Sequence, residues 1–124
     1  MKSLRKLWLA AAVLLISTQA HSATCKDVPQ KDEMHAQTVC FYSGTSLESA
    51  YQQALKSNEP DNKQLRASLP KKQLEEKSTD AYVTYKPINQ SKYRINLLYD
   101  GGETIWTLVK MGSKVKIIFD YYPD

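Results

Sequence analysis

Few side chains in this chain are of a type that does chemistry, and their spacing argues against most of it. Cys25 and Cys40 are the two cysteines, with fourteen residues between them. Redox pairs and zinc ligands favour close spacing such as C-x-x-C, so a metal or redox role has no support here. In an oxidising compartment an even pair is most simply one disulfide. A bridge closing a loop of about 15 residues contributes roughly 3 kcal/mol on the chain-entropy model. His35 follows Asp32 and Glu33, and imidazole with carboxylates is a usual donor set for zinc and related ions. There is no H-x-x-x-H pair and no cysteine to spare. The segment therefore reads as a polar loop, with no metal and no cofactor expected. No serine lies in a G-x-S-x-G elbow. Asp100 and Glu103 flank a glycine turn, where acids act as turn formers rather than as a facing glycosidase pair. Three of the four glycines sit in two tight turns, which leaves one, too few for a glycine-rich phosphate-binding loop. The expectation is a protein without enzymatic activity.

The elements that must position these residues begin with an export segment. Met1-Lys2-Ser3-Leu4-Arg5-Lys6 is basic, an apolar run follows to Ile16, and small and polar residues end in Ala20-His21-Ser22-Ala23. This is the pattern of a cleaved signal peptide over 1–23, with cleavage after Ala20 as the alternative. The apolar run is about half of the roughly 20 residues a membrane-spanning helix needs. Thr24 stands before Cys25 where lipidation wants a smaller residue, so lipidation is rejected. The full chain has 17 basic and 13 acidic residues, and Lys2, Arg5 and Lys6 leave with the signal. Fourteen against thirteen remain, and a near-neutral balance argues against a nucleic-acid or lipid-surface role.

Positions 24–124 are expected to form a single disulfide-stapled domain. The clearest structure is at 93–122. Asp100-Gly101-Gly102-Glu103 and Met111-Gly112-Ser113-Lys114 each place a two-residue, glycine-containing loop between β-rich runs. Pairing Asp100 with Glu103 and Met111 with Lys114 puts Tyr93, Ile95, Leu97 and Tyr99 on one face with Trp106, Leu108, Val115, Ile117, Phe119 and Tyr121. A one-residue slip turns Trp106 and Phe119 outward. Residues 81–86 alternate as a fourth strand. Upstream, Thr45 and Glu48 fit a capping box, and Leu47, Ala50, Tyr51, Ala54 and Leu55 make an amphipathic stripe. That predicts a helix over 46–57, ended before Pro60. A second helical stretch is expected from Asp61, broken at Pro70 and resuming over 70–77, with Leu65, Leu69 and Leu74 on the edge of the core. Residues 26–38 read as a loop, and 39–42 as a short strand or the loop's anchor.

The expected fold is α+β, with helices packed on one face of a four-stranded antiparallel meander. That element order is shared with cystatin-like and NTF2-like domains at the level of topology alone. The second sheet face then carries Leu98, Ile105, Val109 and Ile118 among polar residues, with Tyr82 and Tyr122 left over from the core. These six are the candidate interaction surface, since an exposed apolar patch on a small protein marks a partner site. Tyrosine is abundant, with eight residues, and suits interfaces as well as strands. The functional expectation is an exported, periplasmic protein-binding or accessory module, such as an immunity or inhibitor protein or an envelope-assembly component. Its partner would be another envelope or secreted protein, without nucleic acid or membrane insertion, and with self-association open. The alternative is a small-ligand or enzymatic pocket domain of the NTF2-like kind.

Overall fold

The structure, a computed structural model, describes residues 23–44, 46–58 and 60–124. The signal segment, apart from Ala23, and the proposed cap residue Thr45 lie outside them. Alternation of large apolar residues with mostly polar ones, interrupted by Leu98, Ile105, Val109 and Ile118, builds four strands: β4 (Ala81–Asn89), β5 (Lys92–Tyr99), β6 (Gly102–Met111) and β7 (Lys114–Pro123). Each sends every second side chain into the core. Val83, Tyr85, Ile95, Leu97, Trp106, Leu108, Val115 and Ile117 are fully buried.

The second hairpin pairs as expected, Met111 opposite Lys114, with Gly112 at φ 64. The first does not. Tyr99 pairs with Gly102 and Leu98 with Glu103, so the loop is Asp100-Gly101 rather than Gly101-Gly102. Moving the loop by one residue changes each pairing by two positions, which preserves the facing of every side chain. Gly102 is needed at its place. It adopts φ 150, and a Cβ there would meet the Tyr122 carbonyl oxygen at 2.7 Å and Pro123 Cα at 3.1 Å. Gly102→Ala should therefore lower stability by about 1–3 kcal/mol. Gly101→Ala, with open space around the new methyl, should leave it level or slightly higher. Thermal melts of the pair check this, and equal midpoints would contradict it.

Three further strands overturn the expected architecture. β1 (Thr24–Val28) lies largely where a loop was expected, and β2 (Ala36–Ser43) extends into that loop from the short strand or anchor expected at 39–42. β3 (Leu74–Lys77) lies where a helix was expected. The result is one seven-stranded antiparallel sheet in the order β1-β2-β7-β6-β5-β4-β3, with a single short α-helix among the described residues, α1 (Leu47–Leu55). It is not a four-stranded meander under helices, and the cystatin-like and NTF2-like comparison falls with that expectation. The physical reason lies at the meander's edges. β7 and β4 each present a row of unpaired backbone groups, and pairing them outweighs weak local preference. Leu74-Glu75-Glu76-Lys77 carries good helix formers, yet it pairs with β4, Leu74 opposite Tyr85. β2 adds to β7 along its whole length, and Cys25 lies directly opposite Cys40 in the β1/β2 ladder, where the two form the disulfide.

Residues 44–73 travel from β2 to β3 across one face of the sheet and form its second layer. α1 is capped by the Ser46 hydroxyl, which accepts from Ser49 N at 3.0 Å. It buries Ala50, Tyr51 and Ala54 against β2, β6 and β7. The Glu48 carboxylate accepts from Leu69 N at 3.0 Å and from Gln52. Beyond a turn of 3-10 helix at Asp61–Lys63 the crossover is irregular, so its backbone groups need side-chain partners. Tyrosines supply several. The Tyr51 hydroxyl donates to the Arg66 carbonyl, Arg66 N donates to the Tyr85 oxygen at 2.9 Å, and the Tyr93 hydroxyl donates to the Pro70 carbonyl at 2.7 Å. Asp61 accepts from the Tyr99 hydroxyl at 2.5 Å and from Trp106 Nε1 at 3.0 Å. Buried Gln64 exchanges two hydrogen bonds with Asp80 in the β3/β4 turn. Leu65, Leu69 and Leu74 do pack against the core, as expected, but from loop and strand rather than from helices.

Candidate interaction surface

Among the described residues no helix or crossover segment packs over the sheet's other face, which meets only the β1/β2 loop at His35; α1 and the crossover lie on the inner side. Register places its side chains in rows across the strands. Tyr82, Leu98, Glu103 and Tyr122 form the first, running over β4, β5, β6 and β7. Thr84, Asn96, Ile105, Asp120 and Gln37 form the second, which reaches β2. Lys86, Arg94, Thr107, Ile118, Val39 and Lys26 form the third, which reaches β1. Lys92, Val109, Lys116 and Phe41 form the fourth.

All six candidate residues therefore share this outer face, spread over four rows. Leu98 is 55% exposed, Tyr82 46% and Tyr122 40%, whereas Ile105, Val109 and Ile118 are half-buried between their neighbours. Sequence reasoning missed Val39 and Phe41, which extend the apolar strip onto β2. Their signal was present in the alternation of Val39 and Phe41 with buried Cys40 and Tyr42, but over so few residues that a loop anchor fitted equally well.

One polar cluster closes the first two rows. His35 Nε2 lies 2.7 Å from Asp120 Oδ1, which also accepts from Gln37 Nε2 at 2.8 Å. The imidazole stacks on Tyr122 with ring centroids 4.3 Å apart. Burial, and then the carboxylates of Asp120 and Glu103, push the Tyr122 phenol above its ordinary value. Asp32 and Glu33 do not join His35. Asp32 accepts from Met34 N within its own turn, and among the described residues no three His, Cys, Asp or Glu converge as a metal site. Among the described residues the pair's further hydrogen-bond partner is Gln37, and what the pair does is tie the start of β2 to the end of β7. Glu103, at the hairpin, accepts from Asn96.

Two hollows flank the β5/β6 turn, both open to solvent. The larger, about 1110 Å³, lies between that turn, the β3/β4 turn and the C-terminus. The smaller, about 470 Å³, is lined by Pro60, Asp61, Tyr99, Thr104 and Tyr121. Its one carboxylate, Asp61, already has a donor on each oxygen. No helix among the described residues is long and apolar enough to cross a membrane. The chain matches no protein-family model, no curated protein and no solved structure. The class it can be assigned to is architectural: a disulfide-stapled antiparallel sheet with one face covered by a crossover and one uncovered.

Proposed function

We propose that this is an exported, non-enzymatic binding module of a bacterial periplasm that engages another envelope or secreted protein through the outer face of its sheet. An inhibitor or immunity protein, or a component of an envelope assembly, is the role this reading favours. The observation that carries it is the division of labour among the tyrosines. Tyr51, Tyr85, Tyr93 and Tyr99 spend their hydroxyls on the crossover, whereas Tyr82 and Tyr122 stand exposed beside Leu98 on the uncovered face. A partner would remove that apolar surface from water, the usual basis of protein association. Export is supported by the signal pattern and by the disulfide, which persists in oxidising surroundings.

The test is affinity capture from envelope extracts with the wild type and with Ile105→Lys, which places a charge at the centre of the face. A central contact of this kind is worth about 2 kcal/mol, or roughly 30-fold in affinity, so the captured partner should be lost. Recovery of the same partner by the variant would count against the face. N-terminal sequencing of the exported protein should begin at Thr24 or at His21; an N-terminus still at Met1 would remove the periplasmic assignment.

A further inference from the structure

From position 24 on, the chain carries fourteen basic and thirteen acidic residues, and the fold does not spread them evenly. Register puts Lys26, Lys77, Lys86, Lys92, Arg94, Lys114 and Lys116 on the outer face, against Glu75, Glu103 and Asp120. Seven cations face three acids there, and the rest of the molecule is left with an acidic excess. Within the face the separation is sharper. The half nearest the β4/β5 and β6/β7 turns holds six of the seven cations and no carboxylate. Lys86 lies directly opposite Arg94, and Lys92 and Arg94, like Lys114 and Lys116, are next-but-one neighbours on a single face. Like charges placed opposite one another destabilise a sheet. The ion pairs among the described residues are His35/Asp120 and Arg66/Glu76, so none of these six cations has an ion-pair partner among the described residues. A locally unfavourable arrangement with no internal compensation is expected where a ligand supplies it.

Resting on the outer-face reading above but placing the contact on the basic half, away from Tyr82, Leu98 and Tyr122, we infer that the partner is a protein surface whose acidic side chains surround an apolar centre. Val39, Phe41, Val109 and Ile118 form the apolar middle. Lys86, Lys92 and Arg94 flank it on β4 and β5 and Lys26 on β1, while on β7 Lys116 lies between Val109 and Phe41 and Lys114 at the β6/β7 turn. From β4 to β1 the patch crosses five strand spacings, about 24 Å, and an apolar centre with a polar rim is the anatomy of a protein interface. A second copy of this chain is disfavoured, because two outer faces would bring together two net positive charges. A bilayer is the outcome the vesicle arm tests: Val39, Val109 and Ile118 are half-buried in the pleat, and Phe41, Ile88 and Met111 are the exposed apolar side chains at this end. Nucleic acid is disfavoured because Phe41 is the one aromatic residue in this half, where single strands need a series of stacking rings.

The experiment measures binding of poly-L-glutamate to the folded protein, beside phosphatidylglycerol vesicles and single-stranded DNA. Wild type should bind polyglutamate in preference to both, with affinity falling at least tenfold as salt is raised from low to several hundred millimolar. Lys86→Glu/Arg94→Glu and Lys114→Glu/Lys116→Glu should each lose about tenfold or more, while Lys63→Glu/Lys71→Glu, away from the face, should match wild type. Lys86→Glu alone gives Arg94 a partner, so its melting temperature should rise while its affinity falls, which separates lost binding from lost folding. Absence of polyglutamate binding, an equal loss in the control pair, preference for vesicles or DNA, or Lys86→Glu binding as wild type would each overturn the inference. Ile105→Lys adds a cation and should not weaken polyglutamate binding. If polyglutamate fails while Ile105→Lys still abolishes partner capture, the face stands and its assigned chemistry falls.

Discussion

Raising the pH from 10 towards 12 should unfold this protein steeply, with tyrosine ionisation as the cause. Burial pushes the phenols of Tyr42, Tyr51, Tyr85, Tyr93 and Tyr99 above their ordinary value of 10. For Tyr51 and Tyr93 the neighbouring Tyr85 and Glu48 add to burial, and for Tyr99 the hydrogen bond to Asp61 does. A phenol whose folded value is raised holds its proton in the fold after it has lost it in the unfolded chain. Its contribution is whole below pH 10 and is lost as pH climbs through the folded value. Tyr93 is pushed up to about 12, and those two pH units correspond to about 2.7 kcal/mol. The other buried phenols shift in the same direction, and a domain of this size has about 5–15 kcal/mol in total. Denaturant midpoints at pH 8, 10 and 11, read with phenolate absorbance, measure the effect. Midpoints that stay level while the phenols ionise near pH 10 would contradict it. Tyr93→Phe should flatten the slope above pH 10 by up to about 1.4 kcal/mol per pH unit. It should also cost about 1–3 kcal/mol at neutral pH, because the Pro70 carbonyl loses its donor.

Trp106→Ala should be the most damaging single truncation. The indole is fully buried, meets Phe119 edge-on at 4.9 Å and Tyr51 at 6.2 Å, and donates to Asp61 at 3.0 Å. Removing it empties the contact between α1, β6 and β7 and takes one of two donors from a half-buried carboxylate. Large aromatic truncations of this kind cost about 3–5 kcal/mol. At about 4–8 °C per kcal/mol for a domain of this size, the melting temperature should drop by at least about 12 °C. Trp106→Phe keeps most of the volume and loses only the donor, so its cost should be the smaller part. Two variants of equal stability would mean that the hydrogen bond to Asp61, not packing, is the main contribution.

Much of the core face was legible because its cause is local. Alternation of Tyr93, Ile95 and Leu97 with polar residues, and glycines at 101, 102 and 112, specify strands and turns within a few residues. The first loop was misplaced by one residue and the core was not, since a shift of two in pairing keeps every side chain on its face. α1 was legible for the same reason, in Leu47, Ala50, Tyr51, Ala54 and Leu55. The candidate surface was legible as the complement of the core, which is why its six residues share one face. What that face would attract was not legible.

By itself the amino-acid order determined which residues turn inward, where the chain reverses and which two cysteines meet, because each depends on neighbours in sequence or on there being no other partner. Only the tertiary structure decided that 24–28, 36–43 and 74–77 are strands. Their state is set by the open edges of β7 and β4, far away along the chain, whose unpaired amides and carbonyls need partners. It decided as well that the stretch from position 24 on, near-neutral in sum, presents a basic half-face. Charge adds along the sequence without regard to place, whereas register across six strands sorts it by side.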